Sequence, residues 1–329
     1  MKKTVFAITV TVILACVLCF AACTGGGGIK VNPDKQEYVV GICQLVQHPA
    51  LDKATQGFID ALTAELAKEG RTVKFDKQNA GGETTVCSTI VNGFVSKDVD
   101  LILANATASL YAAANATVTI PVLGTSVTEY GTALKIENFN GTVGGNVSGT
   151  SDLAPLDKQA AMIKEILPNV KTVGLLYCSA EANSKYQVGV IGKELKKLGI
   201  ASKEFPFSEA SLLQTVLSQA IAECDALYAP TDNTVASSSA LIDNVCRPKK
   251  IPVFSGEEGI CKGCGVVTLT IDYYNLGVET GKMAAQILLG QKSVSEMPVS
   301  YDNNPVYKFN KEICNELGIT VPSDYQEIE

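Results

Sequence analysis

The chain carries the same run of short apolar segments twice, in the same order. Val40-Gly41-Ile42 matches Val173-Gly174-Leu175, and Asp100-Leu101-Ile102-Leu103-Ala104 matches Asp225-Ala226-Leu227-Tyr228-Ala229. Ile120-Pro121-Val122-Leu123-Gly124 resembles Ile251-Pro252-Val253-Phe254-Ser255-Gly256. The offsets are nearly equal, about 130 residues each, and a constant offset in constant order marks a structural unit used twice. Each run is short, apolar and rich in β-branched residues, as in a strand buried on both faces of a parallel sheet. Helical periodicity lies between them. Phe58, Ile59, Leu62 and Leu66 share one face of a helix predicted over 51–69 and closed by Gly70. Further helices are predicted over 83–95, 109–115 and 183–198, with an additional strand over 73–75. Strand–helix alternation of this kind gives an α/β fold, here two Rossmann-like lobes with parallel sheets flanked by helices.

The first residues are set aside from the fold. Lys2 and Lys3 precede an apolar run from Val5 to Phe20, then Ala21-Ala22-Cys23 and the run Thr24-Gly25-Gly26-Gly27-Gly28. Small-small-Cys after an apolar run is the pattern of a signal peptide cut before a cysteine that receives a diacylglycerol. We therefore expect a signal peptide over 1–22, lipidation at Cys23 and a flexible tether over 23–36. The alternative, an uncleaved membrane helix, needs a longer apolar run. An acylated chain lies anchored on the outer face of the membrane without spanning it. The 329-residue chain then keeps enough length for two domains. Lobe 1 is expected over 37–150 plus about 274–298, and lobe 2 over 154–270 plus about 299–329, joined by several hinge crossings.

Composition excludes some classes. The net charge is -7 and no Lys/Arg-rich run follows the leader, which argues against nucleic acid. His48 is the sole histidine, which excludes a metal site built on several imidazoles. Of 11 cysteines, Cys16, Cys19 and Cys23 fall in the leader. The others are scattered, and Cys43 and Cys178 end strand-like runs, where Cys acts as a small buried hydrophobe. Cys261-Lys262-Gly263-Cys264 could be a redox pair, half a zinc site or a local disulfide; a structural turn is the favoured reading. Catalysis has weak support. There is no Gly-x-Ser-x-Gly elbow, no Walker loop and no Gly-x-Gly-x-x-Gly after strand one, and His48 has no evident partner.

In open parallel sheets, ligands bind outside the carboxyl ends of the strands, and pockets favour domain interfaces. Function therefore belongs in the loops after strands. In the first half these are Gln44-Leu45-Val46-Gln47-His48-Pro49, Asn105-Ala106-Thr107-Ala108-Ser109 and Gly124-Thr125-Ser126-Val127-Thr128. The last two are rich in small hydroxyl residues that expose backbone N–H groups at helix starts, which suits a carboxylate; plain N-capping is the competing explanation. In the second half they are 178–184, with Ser179, Glu181 and Asn183; Pro230-Thr231-Asp232-Asn233; and Ser255-Gly256-Glu257-Glu258-Gly259. Asp272 opens a further helix over 277–289. These loops bring carboxylates and carboxamides. A hydroxyl-rich edge opposite an acidic edge matches a zwitterion, although an Asp or Glu in such a loop is commonly a cap or a solvated charge.

The residues resemble the substrate-binding proteins of ABC transporters of the tryptophan/tyrosine-uptake type, which have the type I periplasmic-binding-protein fold. The motifs are His48-Pro49-Ala50-Leu51-Asp52 with Gly57-Phe58, the 105–109 loop, Gly149-Thr150-Ser151-Asp152 and Glu181-Ala182-Asn183-Ser184. They continue with Pro230-Thr231-Asp232-Asn233-Thr234-Val235-Ala236 and Asp272-Tyr273-Tyr274, with Gly277 and 280–285. The resemblance covers nearly all of the chain after the leader. It implies a binder without enzymatic activity or cofactor, a permease and an ATPase as partners, and an aromatic amino acid as cargo. Departures are Ala108 where the family has Pro, Glu129-Tyr130 where it often has Asp-Pro, and the Cys261–Cys264 insertion.

The expected site follows from the loops. Thr107, Ala108, Thr125 and Ser126 hold a carboxylate. Asp232, with Asn183 and Glu181, holds an ammonium. Leu45, His48 and Phe254 line the side-chain pocket, and Asn105, Ser179, Thr231, Asn233, Gly256, Glu257 and Asp272 complete the candidates. The chain is expected to act as a monomer. Rival readings are a binder of a nucleoside, purine or sugar, a surface hydrolase using His48 or a Cys, and a receptor feeding a signalling partner.

Overall fold

A computed structural model of the chain describes residues 28–302 and 304–329. The leader and Cys23 lie outside the described residues. In chain order the first half runs β1 (Glu37–Gln44), α1 (Pro49–Lys68), β2 (Thr72–Asn79), α2 (Thr84–Ser96), β3 (Leu101–Asn105), α3 (Thr107–Ala116), β4 (Val122–Val127), α4 (Tyr130–Leu134) and β5 (Val147–Ser151). The second half runs α5 (Leu156–Ile166), β6 (Thr172–Cys178), α6 (Ala182–Lys197), β7 (Ala201–Phe207), α7 (Leu213–Glu223), β8 (Ala226–Ala229), α8 (Asn233–Ser237), α9 (Ser239–Cys246), β9 (Val253–Ser255), α10 (Glu258–Cys264) and β10 (Val267–Thr270). The closing stretch is α11 (Tyr273–Leu288), β11 (Ser300–Tyr301), β12 (Val306–Phe309), α12 (Lys311–Leu317) and β13 (Gln326–Glu327).

The duplication read in the sequence is a duplication of topology. One sheet has the order β11-β5-β4-β3-β1-β2 and the other β13-β12-β10-β9-β8-β6-β7. The first five strands of each half therefore lie in the same order, all parallel. The register also repeats: Val40 faces Leu101 and Val173 faces Ala226, while Ile102 faces Val122 and Leu227 faces Val253. The second sheet departs from the first where β12 runs antiparallel to β10.

Strand alternation sends side chains to two core layers per lobe. In the first sheet Val40 and Ile42 pack with Phe58, Leu62 and Leu288 under α1 and α11, and Cys43 packs with Phe94 and Leu110 under α2 and α3. In the second, Leu175, Tyr228 and Phe254 face α5 and α6, and Leu176, Leu217 and Ile242 face α7 and α9. Burial of both faces is why the strands read as continuous apolar runs.

The chain passes between the sheets three times: after β5, between β10 and α11, and between β11 and β12. α11 joins the first lobe, where Gly277 lies so close to α1 that a Cβ would sit 2.0 Å from the Ala54 carbonyl oxygen. Ser300 and Tyr301 pair with Thr150 and Ser151 in the first sheet, so the last crossing falls after Tyr301 and not at 299 as the sequence suggests.

Several boundaries differ from expectation. Gly124 to Val127 is not a loop: β4 extends through it, with a register shift against β5 between Gly124 and Val127. Ser126 takes a left-handed φ of 54° there. Cys261 and Cys264 lie on helix α10 and not in a turn. Both are free thiols, and all eight cysteines of the described residues are buried and free. Among those residues no helix is long and apolar enough to cross a membrane, and no group of three or more His, Cys, Asp or Glu is placed to hold a metal ion.

Candidate functional site

The carboxyl ends of both sheets face one narrow slot of about 280 Å³ including its mouth. Its first-lobe wall is built from the starts of helices. His48 is the N-cap of α1 and gives that helix no side-chain hydrogen bond, so its ring is free to point into the slot. The turn carrying it is pinned from below. Asn105 Nδ2 donates to the Leu51 carbonyl (2.8 Å) and to Thr55 Oγ1 (2.9 Å), and Thr55 Oγ1 donates to Gln44 Oε1 (2.7 Å). Beside it, the β4 bulge turns Ser126 into the slot. A non-glycine residue held at positive φ on a buried strand costs roughly 1–2 kcal/mol, and such strain collects at functional sites.

The second-lobe wall consists of caps. Asp232 caps α8 through Val235 N (2.8 Å) and also accepts from Cys178 N (2.7 Å) and Ser184 Oγ (2.8 Å). Glu181 accepts four bonds from Asn233 and Thr234, and Glu257 caps α10 through Gly259 N and Ile260 N. Asn183 Nδ2 holds the Thr231 carbonyl at 2.8 Å. Across the slot, His48 Nε2 lies 3.2 Å from Asn233 Oδ1, and Lys53 Nζ lies 3.5 Å from Glu258.

The floor is made by two of the crossings. Asp152 follows β5, Tyr273 opens α11, and the Tyr273 hydroxyl donates to Asp152 Oδ2 at 3.0 Å. Burial lifts the Asp152 carboxyl to about 6, against the hydroxyls of Tyr273 and Thr128 and with help from the Glu257 charge. Burial likewise raises Asp232 and Glu257; the Glu181 charge adds to the former, while His48 and the two cap N–H groups restrain the latter. Three buried polar atoms on this one slot have no hydrogen-bond partner of good geometry among the described residues: His48 Nδ1, Ser126 Oγ and Asp152 Oδ1.

Of the residues expected from sequence, the structure brings His48, Ser126, Asn183, Thr231, Asp232, Asn233 and Glu257 to the slot. The rest do not line it. Phe254, within β9, and Leu45, just after β1, are core residues packed in the helix layers. Asn105 and Thr125 are committed to internal hydrogen bonds. Thr107 and Ala108 begin α3, next to the bulge but outside the lining. Ser179 bonds the Phe207 carbonyl, and Gly256 is pressed against the 230–231 backbone, where a Cβ would meet Thr231 N at 2.6 Å. Asp272 is an exposed cap of α11, and Glu181 supports α8. Leu51, Thr128, Asp152, Ala236 and Tyr273 also line the slot; each falls in a loop or motif quoted from the sequence, but none was among the candidate site residues. Asp152 and Tyr273 sit on crossings, which a strand-loop reading treats as connectors.

Duplicated lobes, three crossings and a polar slot at the facing carboxyl edges define a solute-binding protein that closes on its ligand. Residues 39–326 match the family model described as ABC transporter substrate binding protein, and the chain belongs to that family. Proteins of this family bind a small ligand outside the cytoplasm and deliver it to a membrane permease. A tyrosine-binding protein of Clostridioides difficile (strain R20291) is 38% identical over 82% of this chain and 78% of that protein. Among solved structures, a Streptococcus pneumoniae ABC domain in complex with L-Trp superposes with a TM-score of 0.84 at 32% identity, covering 89% of this chain and all of that one. The ligand-free, open form of a Clostridium difficile substrate-binding protein with adhesive properties gives 0.68 at 36% identity, covering 89% and 99%. The chain thus overlays better on the complex than on the open form, although its sequence is nearer the latter.

Proposed function

We propose that this chain captures an aromatic amino acid between its lobes and hands it to an ABC permease and ATPase. The observation that supports this most is the convergence of His48 Nδ1, Ser126 Oγ and Asp152 Oδ1, on residues all more than nine-tenths buried, at one slot between the lobes. Buried polar groups without partners are costly and call for a polar ligand. Ser126 and His48 can donate to a carboxylate. The start of α3, whose N-cap Ala106 makes no side-chain capping bond, adds the positive end of a helix dipole beside them. Leu51, Ala236 and the Tyr273 ring supply apolar wall for a side chain. The tyrosine-binding relative and the L-tryptophan complex favour the aromatic class.

In this reading Cys23 is lipidated, the mature chain works as an anchored monomer, and it performs no catalysis. Sugar-type and 5-methylthioribose binders share its fold at 13–15% identity, which speaks for the fold alone. Calorimetric titration with L-tyrosine, L-tryptophan, L-phenylalanine, nucleosides and simple sugars tests the proposal. One or more of the three amino acids is expected to bind at micromolar concentration or below, with no turnover of the ligand. Binding of a nucleoside or sugar with none of the three amino acids would overturn it.

A further inference from the structure

Four carboxylates stand on or behind the slot, and their hydrogen bonds separate them. Glu181 takes four donors from the start of α8. Asp232 takes two backbone N–H groups and the Ser184 hydroxyl. Glu257 takes the two N–H groups that open α10. Each of these three is locked in orientation by donors of its own lobe. Asp152 differs. Its Oδ2 accepts from the Tyr273 hydroxyl and the Thr128 hydroxyl lies close enough to lower its pKa, while Oδ1 has no partner of good geometry at 5% exposure on a residue that lines the slot. A buried anionic oxygen in that state is matched by a cationic donor.

Resting on the amino-acid reading above, we infer that Asp152, and not Asp232, is the anchor for the ligand's α-ammonium group, and that through Tyr273 it ties ligand capture to the hinge. Asp152 belongs to the first crossing and Tyr273 to the second. Their hydrogen bond clasps two of the three strands of chain about which the lobes turn. An ammonium on Oδ1 supplies the missing partner and holds the carboxylate in the orientation that keeps Tyr273 engaged. Ser126 sits on the first-lobe bulge and His48 touches Asn233 of the second lobe, so a carboxylate held by that pair brings the other end of the ligand to the closing edge. The amino group is therefore read at the pivot and the carboxylate at the rim.

The test pairs ligands with variants in a double-mutant cycle. Wild type, Asp152→Asn, Tyr273→Phe and Asp232→Asn are titrated with the aromatic amino acids and with their des-amino analogues, 3-(4-hydroxyphenyl)propanoate and 3-indolepropanoate. Removing the amino group from the ligand, or the charge from Asp152, is expected to weaken wild-type binding on the order of 100-fold. The two losses are expected not to add: Asp152→Asn binds the des-amino analogue within a few-fold of wild type. Tyr273→Phe is expected to retain binding but to close less, by small-angle scattering. Equal loss for both ligand types in Asp152→Asn, or unchanged affinity for the amino acid, would overturn the anchor. Should wild type bind a non-aromatic amino acid instead, the cargo reading fails while the same cycle, run with that amino acid and its des-amino form, still decides the anchor. Wild type binding no primary amine at all overturns both.

Discussion

Asp152 shows how a binding group can oppose folding. Its carboxyl titrates near 6 in the folded chain against an ordinary 3.8, chiefly because it is buried. Tyr273, Thr128, Glu257 and Tyr130 face it, and His48 lies beyond Glu257. Between the two values the folded chain holds a proton that the unfolded chain has released, so stability falls as pH rises through that window. Above it the charged carboxylate disfavours the fold by up to about 3 kcal/mol for a two-unit shift. Without ligand, Asp152→Asn should therefore melt above wild type at pH 7.5, and the two melting curves should converge near pH 4. A variant melting below wild type at pH 7.5 would contradict this. Ligand removes the disadvantage, since an ammonium restores what burial took away.

At the scale of elements, the crossing of α1 and α11 fixes where Tyr273 can be. Gly57 and Gly277 let the two backbones touch, and a methyl on Gly277 would meet the Ala54 carbonyl. Gly277→Ala should cost about 2–3 kcal/mol, as overpacking does. It should appear as a lower urea midpoint with an unchanged slope. Much at this scale was legible in advance. The apolar runs of Val40 to Ile42 and Val173 to Leu175 announce strands buried on both faces, and their spacing announces the duplication. The sequence placed His48, Asp232 and Glu257 in loops at the carboxyl edges of the sheets, and Ser126 in a loop where β4 continues instead. It did not reveal which of them would be consumed by caps, because Asp232 meets Cys178 N only in the folded lobe. Nor did it reveal β4's bulge, since left-handed φ at a serine leaves no local signature. Asp152 was quoted as part of a family motif but given no site role, because its partner Tyr273 lies 121 residues away.

For the whole molecule, the polar contacts across the slot among the described residues are few, beside the packing of α4 on α6. His48 to Asn233 is a single hydrogen bond, and Lys53 to Glu258 is a long ion pair with Lys53 half exposed. Exposed pairs of this kind contribute about 0–1 kcal/mol. Closure therefore depends on what the slot contains, and a ligand that touches both lobes shifts the population. Scattering measurements should show a smaller radius of gyration with saturating L-tyrosine or L-tryptophan than without. An identical radius in both conditions would mean that the lobes close unaided.

The three crossings also govern how such a chain can be made. The first sheet lacks its edge strand until Ser300 and Tyr301 arrive, and Tyr38 waits for the Leu288 carbonyl. Until then the apolar layer of Val40, Ile42 and Phe58 is covered by α1 alone, without α11. A polypeptide emerging N-terminus first cannot complete one half and then begin the next; both must finish almost together. It stays threadable through a narrow passage until nearly all of it has come out.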